Sequence, residues 1–123
     1  MSPKRVLVID DEDGVRDIIQ ITLEVVAGWD VLTAPSGKEG LQIAQTQQPD
    51  AILLDVMMPE MDGLTTFQQL QTHPDTQNIP TIFLTAKARI SEQQQYTQLG
   101  AVGVITKPFE ATRLVEQLQL LLN

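Results

Sequence analysis

The sequence contains no cysteine and a single histidine, His73. Without thiols there can be neither a disulfide framework nor a thiolate metal site, which fits a reducing compartment. One imidazole does not make a zinc centre of the usual kind. Positive charge is scarce as well: eight Lys and Arg stand against sixteen Asp and Glu, for a formal net charge of -8. That balance repels phosphate backbones and anionic membrane faces, so direct nucleic-acid binding and membrane insertion are not expected. Long apolar runs are missing too. No stretch approaches the roughly 20 residues that span a bilayer, and the basic start, Met1 to Arg5, precedes only a short apolar run before Asp10, too little for a signal segment. The expectation is a cytoplasmic protein whose residues 1–123 form a single domain.

What is present is a regular alternation. Four short apolar runs, Val6 to Ile9, Ala51 to Leu54, Thr81 to Leu84 and Val102 to Ile105, are continuous instead of alternating with polar residues. Such runs read as strands buried on both faces. A weaker run, Trp29 to Ala34, reads as an edge strand. Helical spacing fills the intervals. Val15, Ile18, Ile19, Thr22 and Val26 mark the inward side of a first helix, with Arg16 on its wet side. Ser36-Gly37-Lys38-Glu39 is a capping box opening a second. A third starts at Asp62 or Gly63 and turns Leu64, Phe67 and Leu70 inward; a fourth carries Ile90, Gln94 and Leu99; a fifth runs from about Ala111 to Leu122. Strand and helix alternating five times imply an α/β fold, doubly wound, with a parallel sheet and helices on both faces.

The chemistry lies where the strands end. The runs finish in Asp10-Asp11, in Asp55, in Thr85 and just before Lys107. In an open parallel sheet the carboxyl ends of the strands share one edge, and ligands bind in the crevice there. Carboxylates gathered so closely repel by roughly 4 kcal/mol per close pair at an effective dielectric near 20. A hard divalent cation answers that repulsion, and Mg²⁺ takes oxygen ligands together with waters and phosphate oxygens. Asp11 and Asp55 are candidate direct ligands and Asp10 a direct or water-mediated one. Lys107 is read as pairing with Asp55 at rest and with a phosphoryl oxygen afterwards, and the Thr85 hydroxyl as donating to the same group. A carboxylate is a nucleophile toward phosphoryl donors. Asp55 is therefore the candidate acceptor.

Four segments carry a resemblance: Val6-Leu7-Val8-Ile9-Asp10-Asp11-Glu12, Leu54-Asp55-Val56-Met57-Met58-Pro59-Glu60-Met61-Asp62-Gly63, Leu84-Thr85-Ala86 and Thr106-Lys107-Pro108-Phe109. In order and spacing they resemble the signatures of response-regulator receiver domains, over nearly the whole chain. The resemblance implies a flavodoxin-like five-stranded sheet of order 2-1-3-4-5 and phosphotransfer from a histidine kinase or phosphorelay protein. It also implies a Mg²⁺ site completed by the backbone carbonyl of Met57, phosphoryl contacts from Thr85, Ala86 and Lys107, and a cis peptide before Pro108. Met57 and Lys87 fall where the family tunes phosphate lifetime. The family's switch couples the Thr to an aromatic residue three positions before the Lys; here that position is Val104, so aromatic burial is not the readout. The reading is of a non-enzymatic switch, monomeric or weakly dimeric, that signals to a downstream protein. Two alternatives stand beside it: a receiver-like interaction module that works without phosphorylation, and an aspartate-nucleophile phosphatase, whose D-x-D-x-[TV] pattern Asp11-Glu12-Asp13-Gly14-Val15 also fits.

Overall fold

Every apolar run forms a strand in the computed structural model, which describes residues 5–58, 62–86 and 89–122. The order is β1 (Arg5–Ile9), α1 (Asp13–Thr22) continuing into a π-helical turn (Leu23–Ala27), β2 (Asp30–Ala34), α2 (Gly37–Gln47), β3 (Ala51–Asp55), α3 (Gly63–Thr72), β4 (Thr81–Thr85), α4 (Ile90–Leu99), β5 (Gly103–Thr106) and α5 (Ala111–Leu122). All pairings are parallel, in the sheet order β2-β1-β3-β4-β5. Among the described residues, no helix is long and apolar enough to cross a membrane.

Alternate side chains of each strand face opposite ways, so the sheet separates two cores. Leu7, Ile9, Ile52, Leu54 and Phe83 pack with Leu41, Ala44, Phe67, Leu70 and Tyr96 from α2, α3 and α4. Val6, Val8, Leu53, Ile82 and Leu84 pack on the other face with Ile19, Leu23, Leu114 and Leu118. Each fully buried aliphatic side chain here contributes about 1.5–3 kcal/mol. Phe83 anchors its core: its ring meets Phe67 edge-on at 4.9 Å and Tyr96 at 5.2 Å, tying α3 and α4 to β4. Local capping agrees with the sequence, since Ser36 Oγ accepts the Glu39 N–H at 3.2 Å and Asp62 Oδ1 accepts the Thr65 N–H at 2.8 Å.

Several facings depart from the periodicity. On α1, Ile18 is 51% and Val26 67% exposed, while Leu23 is fully buried. After Thr22 the helix widens into its π turn, which breaks the 3.6-residue phase that placed Val26 inward. On α4, Ile90, Gln94 and Leu99 are exposed and Tyr96 is the buried residue, because its ring reaches Phe83. Leu64 is 38% exposed. The fifth strand starts at Gly103, leaving Val102 exposed, and its burial alternates. It has one strand neighbour only, so it is an edge strand and not one buried on both faces.

Candidate functional site

Asp10, one residue beyond β1, is fully buried, and each of its polar groups is held. Its N–H donates to the Ala34 carbonyl at 3.1 Å, Oδ1 accepts the Glu12 N–H at 2.9 Å and Oδ2 accepts Lys107 Nζ at 2.8 Å. Asp55 closes β3 at 2% exposure, and its Oδ1 accepts the Met57 N–H at 3.0 Å. Its Oδ2 lies 3.3 Å from Lys107 Nζ. The β4–β5 register pairs Thr85 with Thr106, and the Lys107 N–H donates to the Thr85 carbonyl at 2.8 Å. Strand pairing thus delivers Lys107 to the acids, and Thr85 closes β4 fully buried.

Lys107, expected to pair with Asp55 at rest, does lie 3.3 Å from its Oδ2, and it has further acidic partners. The ammonium lies nearest Asp10, bridges to Asp55 and also reaches Glu12 Oε1 at 3.5 Å. The reason is geometric, since β1 and β3 are adjacent and their carboxyl ends both face the arriving lysine.

One carboxylate oxygen from each of Asp10, Asp11, Glu12 and Asp55 lies within 4.8 Å of the others. Glu12, adjacent in sequence to the acidic pair, is the member that sequence reasoning did not assign; its contiguity was the available signal. The electrostatics reflect the crowding. Burial, with the Asp10 charge adding to it, pushes the Asp55 carboxyl up from 3.8 to about 6, against the Met57 N–H and Lys107, which favour the anion. Burial disfavours the Lys107 ammonium, yet its hydrogen bond and attraction to Asp10, joined by Asp55, outweigh this and hold its pKa above the ordinary value. An all-oxygen donor set with excess negative charge fits a hard cation such as Mg²⁺.

The other assigned positions surround this cluster. Ala86 and Met57 are exposed beside it, and the Lys107–Pro108 peptide is cis. Val104 pairs with Phe83 in the sheet and packs, half-buried, on the core that holds Tyr96. Lys87 and Pro59 lie outside the described residues. Gly63 is the opening residue of α3, as the spacing allows, and does more: its N–H donates to the Val56 carbonyl at 2.9 Å, and a Cβ there would stand 2.2 Å from the Asp55 carbonyl oxygen. Nothing in local composition signals that approach. A groove of about 460 Å³ runs alongside, lined by Glu12, Val15, Ile18, Ala86, Lys107 and Phe109 among others.

Comparison with known proteins agrees with this geometry. The family model described as "Response regulator receiver domain" matches residues 6–119. The DNA-binding dual master transcriptional regulator RpaA of Synechocystis sp. is 39% identical over 119 residues, covering 97% of this chain and 49% of that protein. The alkaline phosphatase synthesis transcriptional regulatory protein PhoP of Bacillus subtilis is 37% identical over 120 residues, covering 98% and 49%. The chain therefore spans about half the length of these curated relatives. Among solved structures, the chemotaxis response regulator CheY4 of Vibrio cholerae superposes with a TM-score of 0.89 at 32% identity, covering 98% of this chain and 99% of its own. By sequence, fold and the arrangement of its strand ends, this chain belongs to the response-regulator receiver domains, the phosphorylation-dependent switches of two-component signalling.

Proposed function

We propose that Asp55 is the phosphoryl acceptor of this receiver, that Asp10, Asp11, Asp55 and the Met57 carbonyl hold Mg²⁺, and that Thr85, Ala86 and Lys107 receive the phosphoryl oxygens. The observation that carries the reading is the Lys107 ammonium set between the buried carboxylates of Asp10 and Asp55, at 2.8 and 3.3 Å, within a four-acid cluster. An Asp55 carboxylate oxygen forms the new P–O bond while the P–N bond of a phosphohistidine donor breaks, its electron pair staying on the imidazole. Mg²⁺, when bound, neutralises charge between the acceptor and the phosphoryl oxygens. Lys107 then exchanges a carboxylate partner for a phosphoryl oxygen, a charge-assisted hydrogen bond in either state. The Met57 N–H keeps the Asp55 carboxylate oriented.

Phosphorylation adds nearly two negative charges, which shifts an equilibrium between arrangements already available. Thr85 and Val104 are the switch positions, and with valine at 104 the coupling is aliphatic contact and not ring burial. Residues 1–123 act as one receiver domain in the cytoplasm, as a monomer or weak dimer. It takes its phosphoryl group from a histidine kinase or phosphotransfer protein, passes the signal to a protein, and catalyses nothing beyond its own phosphorylation and dephosphorylation. The net charge of -8 makes direct contact of this domain with DNA unfavourable.

Incubation with Mg²⁺ and acetyl phosphate, followed by intact mass, tests the assignment. Wild type gains one phosphoryl group and Asp55→Asn gains none. Equal labelling of the variant rejects Asp55 as acceptor; label on Asp11 revives the phosphatase reading, and an unlabelled wild type favours the phosphorylation-independent module.

A further inference from the structure

Helical spacing places Arg16 on the wet side of α1, but its side chain is only 15% exposed. Its Nη1 donates to the main-chain carbonyl of Asp10 at 2.6 Å, and its Nη2 meets the Asp13 carboxylate. The turn is also tied at its ends, by the Asp10 N–H to the Ala34 carbonyl and the Arg16 N–H to the Glu12 carbonyl, both at 3.1 Å, and by Lys107 on the Asp10 carboxylate. Glu12 occupies the N-cap of α1 and its side chain makes no capping bond; within the turn, the Glu12 N–H donates to Asp10 Oδ1, and Arg16 is the side chain that holds the Asp10 carbonyl. Asp11 and Glu12, both exposed, contribute carboxylates to the acid cluster, and the path of the main chain from Asp10 to Asp13 sets where those carboxylates point.

We propose that Arg16 is a positioning residue for the cation site: its guanidinium clamps the Asp10 carbonyl and so holds the acidic turn in the geometry that binds the divalent ion. This rests on the cation-site reading above and goes beyond it, because Arg16 offers no ligand atom. The planar fork of the guanidinium suits the role, reaching a carbonyl and a carboxylate at once, which a lysine ammonium on a flexible stem does not do. Asp13 is 86% exposed, so the ion pair itself contributes little. The bond to the carbonyl of buried Asp10 is the effective half of the clamp.

A positioning role and a simple charge role predict opposite signs. Arg16 is a cation close to a cation site, so if only its charge mattered, Arg16→Ala would tighten Mg²⁺ binding and Arg16→Lys would leave it unchanged. If it positions the turn, both variants weaken binding, by about ten-fold, toward the low end of the range seen when groups orienting metal ligands are removed.

The measurement is Mg²⁺ affinity by isothermal titration calorimetry on the phosphate-free chain, with folding checked by circular dichroism. Acetyl phosphate labelling is followed in parallel across Mg²⁺ concentrations. Both variants should require about ten-fold more Mg²⁺ for half-maximal labelling yet approach the wild-type rate at saturation, a split that general damage to the fold would not produce. Arg16→Lys keeps the charge and aliphatic stem, and carries the test if Arg16→Ala does not fold. Wild-type affinity in Arg16→Lys, or tighter binding in Arg16→Ala, overturns the proposal. A wild-type chain that takes up no Mg²⁺ overturns the site reading itself, and the clamp with it.

Discussion

Gly63 and Gly14 both lie in the first turn of a helix, yet alanine should have opposite consequences at the two positions. At Gly63 an added Cβ would stand 2.2 Å from the Asp55 carbonyl oxygen, 2.5 Å from Val56 Cα and 2.9 Å from the Asp55 carbonyl carbon. All three are backbone atoms, so no side chain can swing aside. To reach the 3.4 Å at which ordinary contact begins, α3 and the end of β3 must separate by about 1.2 Å. Overpacking of this kind costs about 1–3 kcal/mol, and the 2.9 Å bond from the Gly63 N–H to the Val56 carbonyl is strained as well. Alanine's better helix propensity returns at most about 1 kcal/mol. Weakening of that hydrogen bond, worth about 0.5–1.5 kcal/mol, offsets this return, so the net expectation for Gly63→Ala is a loss of about 1–3 kcal/mol. Because the displaced segment carries Asp55, and a misplacement of about 1 Å can cost about 100-fold in rate, acetyl phosphate labelling should fall 10- to 100-fold, roughly. At Gly14 nothing lies within 4 Å of the added atom, so Gly14→Ala should be neutral or stabilising by up to about 1 kcal/mol. Urea unfolding followed by Trp29 fluorescence and labelling followed by intact mass read both quantities. Indistinguishable behaviour of the two variants would refute the close-approach argument; lost stability with an intact rate would refute the part that concerns acceptor positioning.

Two further outcomes follow from the electrostatics of the cluster. The Asp55 carboxyl titrates near 6 when folded and near 3.8 otherwise, so between those values the folded state holds a proton that the unfolded state has released. Stability of the metal-free protein should therefore fall as pH rises through that window, by about 1–2 kcal/mol after allowance for solvent screening. Urea midpoints in EDTA at either end of the window should show a smaller drop in Asp55→Asn, and an identical drop would count against the buried acid. Lys107→Ala strips two buried carboxylates of their shared ammonium and should cost about 3 kcal/mol in EDTA. Millimolar Mg²⁺ should then raise the melting temperature of the variant more than that of wild type, since the ion takes over the neutralisation; an EDTA melting temperature unchanged by the substitution would contradict the pairing.

The sequence alone determined the strands, their parallel order of succession and the edge on which the polar residues meet. Val6 to Ile9, Ala51 to Leu54 and Thr81 to Leu84 are continuous apolar runs that only a sheet covered on both faces can bury, and a parallel sheet brings the ends of such runs to one side. Asp10, Asp55, Thr85 and Lys107 could be placed together for that reason. Tertiary structure decided what depends on distances between segments remote in the chain. Lys107 has a flexible stem that could reach any of several acids, and its preference for Asp10 comes from the placement of β1 beside β3. Ile18, Val26 and Ile90 are apolar but exposed, and Tyr96 is buried, because how much of a helix is covered depends on its neighbours and on the π turn after Thr22. Gly63 against Asp55 and Arg16 on the Asp10 carbonyl involve main-chain atoms, which carry no mark in the sequence. Periodicity is a property of one segment, whereas close approach belongs to two, and the second of these exists only once the chain has folded.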